Sequence, residues 1–252
     1  MQALVLAGSR GPSPLVEEAG VKNKSLIPIH GKPMIQYVLE TLNSVSIIER
    51  IVVVGPLEEL GRLETEITFS MVSEKGEIME NLLEGFRHIS PSAGPVLVAT
   101  SDIPLITREA LEHFIEKGLH LEADFCYPIL EKEVVEQKYA NVVRTYARLK
   151  EGSFTGGNIF LINAEIVAGV AERAAAFLAL RKKPHRMALK LGLPFIIKFL
   201  LKKVTIADAE KRASEIFGVK GRAVIMPHAE IGFDVDKTSD LKIAEEYLYK
   251  RA

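Results

Sequence analysis

Short apolar runs recur along the first hundred residues, each closed by Gly, Pro, Ser or Asp: "ALVLA" at 3–7, "RIVVVG" at 50–55, "ITFSMVS" at 67–73 and "PVLVATSD" at 95–102. Runs of that length without polar alternation predict parallel strands buried on both faces. Between them the apolar period becomes helical. Met34, Tyr37, Val38 and Leu42 share one face of a helix predicted over 33–42, with Pro33 in its first turn. Two more helices are predicted over 77–89 and 107–117, the second with Thr107 as its N-cap. Strand-helix alternation implies an α/β sheet with right-handed crossovers.

After Ser101 the pattern shifts. "ADFCYPIL", "NVVRTYARL" and "NIFLIN" read as strands without a full helix between each pair, so the sheet is predicted to be mixed, with some antiparallel pairing. From 164 to 217 the pattern is almost wholly helical, broken by "KKP" at 182–184 and "GLP" at 192–194. Within it "FIIKFLLKK", 195–203, is greasy but far too short to span a bilayer. It reads as a buried or subunit-facing helix, with an acceptor pocket or a membrane-surface contact as alternatives. No internal repeat or low-complexity linker appears. The expectation is one domain over 1–252, mixed but mainly parallel, with a helical insertion at about 164–217 and no membrane span.

Composition narrows the function classes. Lys+Arg 32 against Asp+Glu 33 leaves a net charge of -1, so no overall basic field draws nucleic acid or an anionic membrane. Any bound anion must be held locally. The single cysteine, Cys126, lies in an apolar strand pattern and reads as an inert core thiol. The N-terminus lacks a charged region followed by a long apolar stretch, which predicts a cytoplasmic protein.

Four stretches carry candidate chemistry. In an open α/β sheet, ligands bind beyond the carboxyl ends of the strands. There, "LAGSRG" (Leu6, Ala7, Gly8, Ser9, Arg10, Gly11) offers backbone N–H groups on small residues and one guanidinium, which suit a phosphate. "KNKSLIPIHGKPMI" sets Lys22 and Lys24 before an apolar run that ends in a Gly-Lys-Pro turn. "VLVATSDIPLIT" ends a long apolar strand in Asp102, a residue costly to bury unless it holds a cation or caps the turn before Pro104. "AEIGFDVDKTSDL" alternates Ile231, Phe233 and Val235 with Gly232, Asp234 and Asp236, so in a strand both carboxylates share one face and repel unless a cation lies beside them. The helix after it would be capped by Thr238 or Ser239.

"LVLAGS" followed by "KSLIPIHGKPMI" resembles the N-terminal signature of the nucleotidyltransferases related to molybdenum cofactor guanylyltransferase, sugar-1-phosphate nucleotidyltransferases and cytidylyltransferases. The resemblance runs from residue 3 to about 163 and again from 222 to 248. It implies a Rossmann-like three-layer sandwich of the nucleotide-diphospho-sugar transferase type, and a transferase moving NMP from an NTP to a phosphorylated acceptor with release of pyrophosphate. By resemblance, the glycine loop wraps the triphosphate, Arg10 and Lys24 neutralise phosphate charge, and Asp102 binds Mg²⁺. The "FDVDKTSDL" run resembles the family's closing "VDTPEDL", which makes Asp236 the second metal ligand, Asp240 a helix-start residue and Asp234 an outer group. Lys75 and Gly76 fall where the family contacts the base, and Gly156, Gly157 and Asn158 where it meets the acceptor, although a tight turn explains these three as well. Two departures stand out: Ser9 replaces the usual second loop glycine, and the stretch between Arg10 and Lys24 is longer than usual.

Rival classes remain. No H-x-x-x-H or Cys-His spacing suggests zinc, and no G-x-S-x-G suggests a hydrolase. "GSRGPSP" runs into a proline-broken loop where a dinucleotide-binding fingerprint would open a helix. A glycosyltransferase using Asp234-Val235-Asp236 as its metal motif is one alternative, and a non-catalytic nucleotide-binding regulator is another. A homodimer formed through the helical segment is a further expectation, with selection of the acceptor as that segment's alternative role.

Overall fold

Among the described residues a mixed sheet of nine strands forms the middle layer. The computed structural model describes residues 1–8, 13–90, 94–140, 142–180 and 184–251, the side chains at 184 and 185 excepted. In chain order the strands are β1 (Gln2–Leu6), β2 (Pro28–Ile29), β3 (Lys32–Pro33), β4 (Arg50–Gly55), β5 (Ser70–Ser73), β6 (Pro95–Thr100), β7 (Phe125–Glu131), β8 (Ala147–Arg148), β9 (Ser153–Gly156), β10 (Ile159–Asn163) and β11 (Gly221–Ile225). The helices are α1 (Pro14–Glu18), α2 (Met34–Ser44), α3 (Leu57–Leu60), α4 (Ile78–Phe86), α5 (Arg108–His120), α6 (Lys132–Lys138), α7 (Val167–Leu178), α8 (Pro184–Leu191), α9 (Leu193–Leu200), α10 (Ile206–Phe217) and α11 (Thr238–Arg251).

The strand order is β5-β4-β1-β6-β10-β7-β9-β8, with β11 paired to β7 and β2-β3 forming a separate ribbon. β5, β4, β1 and β6 are mutually parallel. β10 then runs antiparallel to both β6 and β7, as the change of pattern after Ser101 implies. Strand β1, with neighbours on both sides, is buried on both faces. Val5 and Ala7 pack with Val38, Leu39 and Leu42 of α2 and Phe114 of α5, while Leu4 and Leu6 pack with Leu82 of α4 and Val167 of α7. Continuous apolar runs follow from that double coverage. Truncating Phe114 to Ala in this layer would cost about 3–5 kcal/mol.

Local signals explain most helix ends. Thr107 accepts from the Ala110 amide at 3.2 Å and opens α5 as predicted. Pro33 precedes α2 as its N-cap instead of lying in its first turn. Glu77 and Glu80 make a reciprocal capping box at α4. "GLP" separates α8 from α9 at Gly192.

Several expectations are corrected. "NVVRTYARL" contributes only the two residues of β8, and residues 142–146 are loop. "ITFSMVS" pairs only over its last four residues. "AEIGFDVD" is no strand: Ala229–Gly232 is a one-turn helix, and the extended run after it is anchored by one backbone bond, Val235 N–H to the Asp102 carbonyl at 2.9 Å. Alternation survives there because Phe233 and Val235 are buried, not because a ladder forms. Strands β9 and β11 and helix α6 are additions that the sequence pattern missed. In "FIIKFLLKK" the residues Ile197, Leu200 and Leu201 are exposed, so that stretch is not core of this chain. Cys126 is buried, and burial pushes its thiol up to about 11, as suits an inert core residue. Among the described residues no helix is long and apolar enough to cross a membrane.

Candidate active site

The carboxyl ends of β1 and β6 open on the same edge of the sheet, and the chain uses that edge to gather charge. Beyond β1, the Asn23 side chain donates to the Ala7 carbonyl at 2.9 Å and accepts from the amide and hydroxyl of Ser25 at 2.8 and 2.7 Å. Asn23 is buried, so its three bonds fix the one-turn helix Lys24–Leu26 against the strand end. Lys24 projects from that turn. Its ammonium donates to Asp102 Oδ2 at 2.7 Å and also to Asp236 Oδ1.

Asp102 lies two residues beyond β6, and its carbonyl accepts the Val235 amide, which binds the segment bearing Asp234 and Asp236 directly to it. Carboxylate oxygens of Asp102, Asp234 and Asp236 lie within 4.8 Å of one another. Asp234 pairs with the Arg144 guanidinium and lies 3.5 Å from the Asn158 amide nitrogen. Among the described residues two cations thus face three carboxylates, which leaves one formal negative charge uncompensated there. Burial raises the Asp234 pKa, and its two neighbouring aspartates add to that against the pull of Arg144. Burial alone would lower the Lys24 pKa, but Asp102 and Asp236 more than reverse it and raise it. For Asp236 the balance is opposite: burial would raise it, and the bond from Lys24 brings it down. Asp102 Oδ1 is buried and has no hydrogen-bond partner among the described residues.

Other residues singled out in the sequence fall around this cluster. Gly8 lies against the start of α4: a Cβ there would sit 2.2 Å from Asn81 Nδ2 and 2.9 Å from Glu74 Oε2, so a side chain at this position would have to displace both of those side chains. Asn81 in turn accepts the Lys75 amide at 2.6 Å, which brings Lys75 and Gly76 beside the end of β1. Asn158 is held by two backbone bonds, its amide to the Ile231 carbonyl at 2.9 Å and its carbonyl from the Thr100 amide at 3.1 Å. A Cβ on Gly156 would meet the Tyr127 hydroxyl at 2.1 Å, so glycine is what lets that phenol approach. Asp240 is indeed a helix-start residue, accepting from the Asp236 and Lys237 amides at 3.1 and 3.2 Å. It takes the capping role assigned to Thr238 or Ser239, and Thr238 instead bonds Glu18 at 2.9 Å. Ser9, Arg10 and Gly11 lie outside the described residues.

Arg144, Asn23, Asn81 and Tyr127 escaped the sequence analysis. Arg144 had no signal of its own, being 90 positions from Asp234. Asn23 did have one: a short Asx side chain two residues before Ser25 is a turn-forming pattern.

Residues 3–189, well over half the chain, match the MobA-like NTP transferase domain. The chain belongs to that family. Like other MobA-like NTP transferases it is a nucleotidyltransferase with the nucleotide-diphospho-sugar transferase fold. A probable molybdenum cofactor guanylyltransferase from Thermococcus gammatolerans is 28% identical over 167 residues, covering 65% of this chain and 81% of that one. A solved hypothetical transferase from Thermus thermophilus is 38% identical, with a TM-score of 0.86, covering 95% of this chain and 98% of that one. The fold extends to 4-diphosphocytidyl-2C-methyl-D-erythritol synthase from Anaerococcus prevotii, at a TM-score of 0.62 and 13% identity, with 98% of this chain and 97% of that one covered. The Asp102-Asp236-Lys24 cluster of this MobA-like chain comes from three segments far apart in sequence, 24, 102 and 236.

Proposed function

We propose that this chain acts as one domain, with 164–217 as a helical insertion, and transfers NMP from an NTP to a phosphorylated small-molecule acceptor. In that reaction an acceptor phosphate oxygen attacks the α-phosphorus in line, the α–β P–O bond breaks, and pyrophosphate leaves. The observation that carries the proposal is the convergence of Lys24 with Asp102, Asp234 and Asp236 at the carboxyl edge of the sheet.

The residues fit a hard divalent cation such as Mg²⁺. The donor set is all oxygen, and among the described residues one carboxylate oxygen of Asp102 is buried without a partner and the cluster keeps a net negative charge. Asp102 and Asp236 would hold the ion, with Asp234 beside them. When bound it would supply charge stabilisation at the reacting phosphates. The chain's own groups do the rest. Lys24 balances the carboxylates and lies within reach of a leaving pyrophosphate. Gly8 lies at the loop entrance, the Ala7 amide being committed to the Val54 carbonyl at 2.8 Å, and Arg10 is assigned to the same anion by family resemblance. Arg144 and Asn158 hold Asp234 in place. No general base is needed when the acceptor is already an anion, so the work is positioning and electrostatics.

The test is calorimetric binding of ATP, GTP, CTP and UTP with and without Mg²⁺, on the wild type and Lys24→Ala. Metal-dependent binding of one nucleotide, weakened about tenfold or more in the variant, is expected for a lost charge-assisted contact. Binding of no nucleotide would overturn the proposal. Sugar transfer with release of a nucleoside diphosphate in place of pyrophosphate would favour the glycosyltransferase alternative, and binding without turnover would favour a regulator.

A further inference from the structure

Beside the acidic cluster lies a cavity of about 370 Å³, in the size range of a small-molecule site. Its floor is the sheet face bearing Leu6, Phe160 and Ile162, and its walls are Met79 and Leu82 of α4 with Val170 and Phe177 of α7. Phe217, at the end of α10, closes the far side, its ring edge-on to Phe177 with centroids 5.3 Å apart. No charged side chain lines it among the described residues. The polar groups are confined to Thr100, Asn158 and Tyr127, and these lie toward the charged end. Asn158 lies 3.5 Å from Asp234, and Thr100 stands two positions before Asp102 in the chain. The Thr100 hydroxyl is buried and has no hydrogen-bond partner among the described residues.

A nucleobase or a free sugar needs a ring of donors and acceptors, and aliphatic and phenyl walls would leave its polar edges unsatisfied. A hydrocarbon body matches those walls. We propose, resting on the nucleotidyl-transfer function above, that the acceptor is an amphiphilic phosphate ester whose apolar body fills this cavity while its phosphate lies at Asp102, Asp234 and Asp236. The Thr100 hydroxyl is then free to bond the ester oxygen or a hydroxyl where the two parts join. The helical segment 164–217, which supplies two of the walls, becomes the part of the chain that selects the acceptor.

The test uses n-octyl phosphate, glycerol 3-phosphate and glucose 1-phosphate, titrated calorimetrically into the full chain with Mg²⁺. A few buried methylenes are enough for n-octyl phosphate to bind at least about tenfold tighter than either polar ester, at one site per chain. Ala174→Trp, which projects a large ring into the cavity from α7, should abolish that preference and leave Mg²⁺-dependent NTP binding within about twofold of wild type. Retained NTP binding also shows that the variant is folded. Equal or weaker binding of n-octyl phosphate, or an unchanged preference in Ala174→Trp, would overturn the proposal. So would loss of NTP binding in that variant with octyl phosphate unaffected, which would give the cavity to the nucleobase. Octyl phosphate binding is read without nucleotide, so failure of every NTP to bind overturns the transfer function alone and leaves this measurement standing.

Discussion

The two ends of the candidate site are held by opposite kinds of force. At one end Lys24, Arg144 and three aspartates are fixed by directed bonds between residues up to 212 positions apart. At the other, α4, α7 and the sheet enclose an apolar cavity by packing alone. Directed bonds place individual atoms, and losing one atom there removes one function. Packing sets a volume, and a lost methyl group is shared among many neighbours. Single isosteric changes should therefore separate the two ends: severe in activity at the charged end, graded in acceptor preference at the apolar one.

The largest effect is expected from Asp102→Asn. The substitution keeps shape and removes the charge that faces Lys24, together with a buried oxygen that has no partner among the described residues. Turnover should fall by about a thousandfold or more, while the melting temperature stays within a few degrees. Normal activity in Asp102→Asn would remove the metal assignment and with it the contrast between the two ends.

Acid provides the next discrimination. Glu230 lies in the one-turn helix Ala229–Gly232 that leads to Asp234 and is buried. Burial alone would raise its pKa, but bonds from Lys138 of α6 at 2.6 Å and from Thr107 at 2.9 Å outweigh that and lower it. His228 lies 3.9 Å away, and its own pKa is lowered, chiefly by burial. A depressed carboxylate contributes stability above its ordinary value of 4.5 and loses it as pH falls through that value toward the folded one, because the unfolded chain then binds more protons. Glu230→Gln should cost about 2–3 kcal/mol at pH 7 and flatten the acid limb of a stability-pH curve measured by urea unfolding. An unchanged acid limb would show that another carboxylate governs it.

Much of the parallel half was legible because burial on both faces leaves only aliphatic residues at 3–6, 51–54 and 96–99, the interiors of β1, β4 and β6, and because Asp102 lies just past the carboxyl end of such a run. Lys24, Asp102 and Asp236 were legible as residues, but their convergence came only through resemblance. Arg144 was hidden in a run whose valines and tyrosine mimic a strand, and nothing local distinguishes a loop that buries a guanidinium from a strand that buries apolar side chains. The cavity left no trace for a different reason. Val170, Ala174 and Phe177 have the spacing of an ordinary core helix, and only the three-dimensional gap between α7 and the sheet shows that they do not touch what they face.

Asn23→Ala tests whether the charged end depends on placement as much as on charge. The variant leaves every ionised group in place and removes the side chain that ties the Lys24 turn to the Ala7 carbonyl. Leaving buried amide partners unsatisfied should cost about 1–3 kcal/mol. NTP binding should weaken in step, since Lys24 would lose its fixed origin; intact binding with reduced stability would mean that Lys24 is positioned by its carboxylates alone.

The smallest effect separates two ways of starting α11. The Asp240 carboxylate accepts the amides of Asp236 and Lys237, whereas Ser239 is exposed on the first turn. Asp240→Ala should therefore cost about 1 kcal/mol, or roughly 2–4 °C in a chain of this size, and Ser239→Ala less than about 0.5 kcal/mol. Asp240 also holds the backbone of Asp236, a member of the cluster, so its removal should lower kcat by a small factor while the preference for n-octyl phosphate over glycerol 3-phosphate stays as in the wild type. Equal melting temperatures for the two variants would return the cap to the hydroxyl residues. A changed acceptor preference in Asp240→Ala would show that the charged and apolar ends are mechanically joined, so that a cap bond at one end sets the shape of the other.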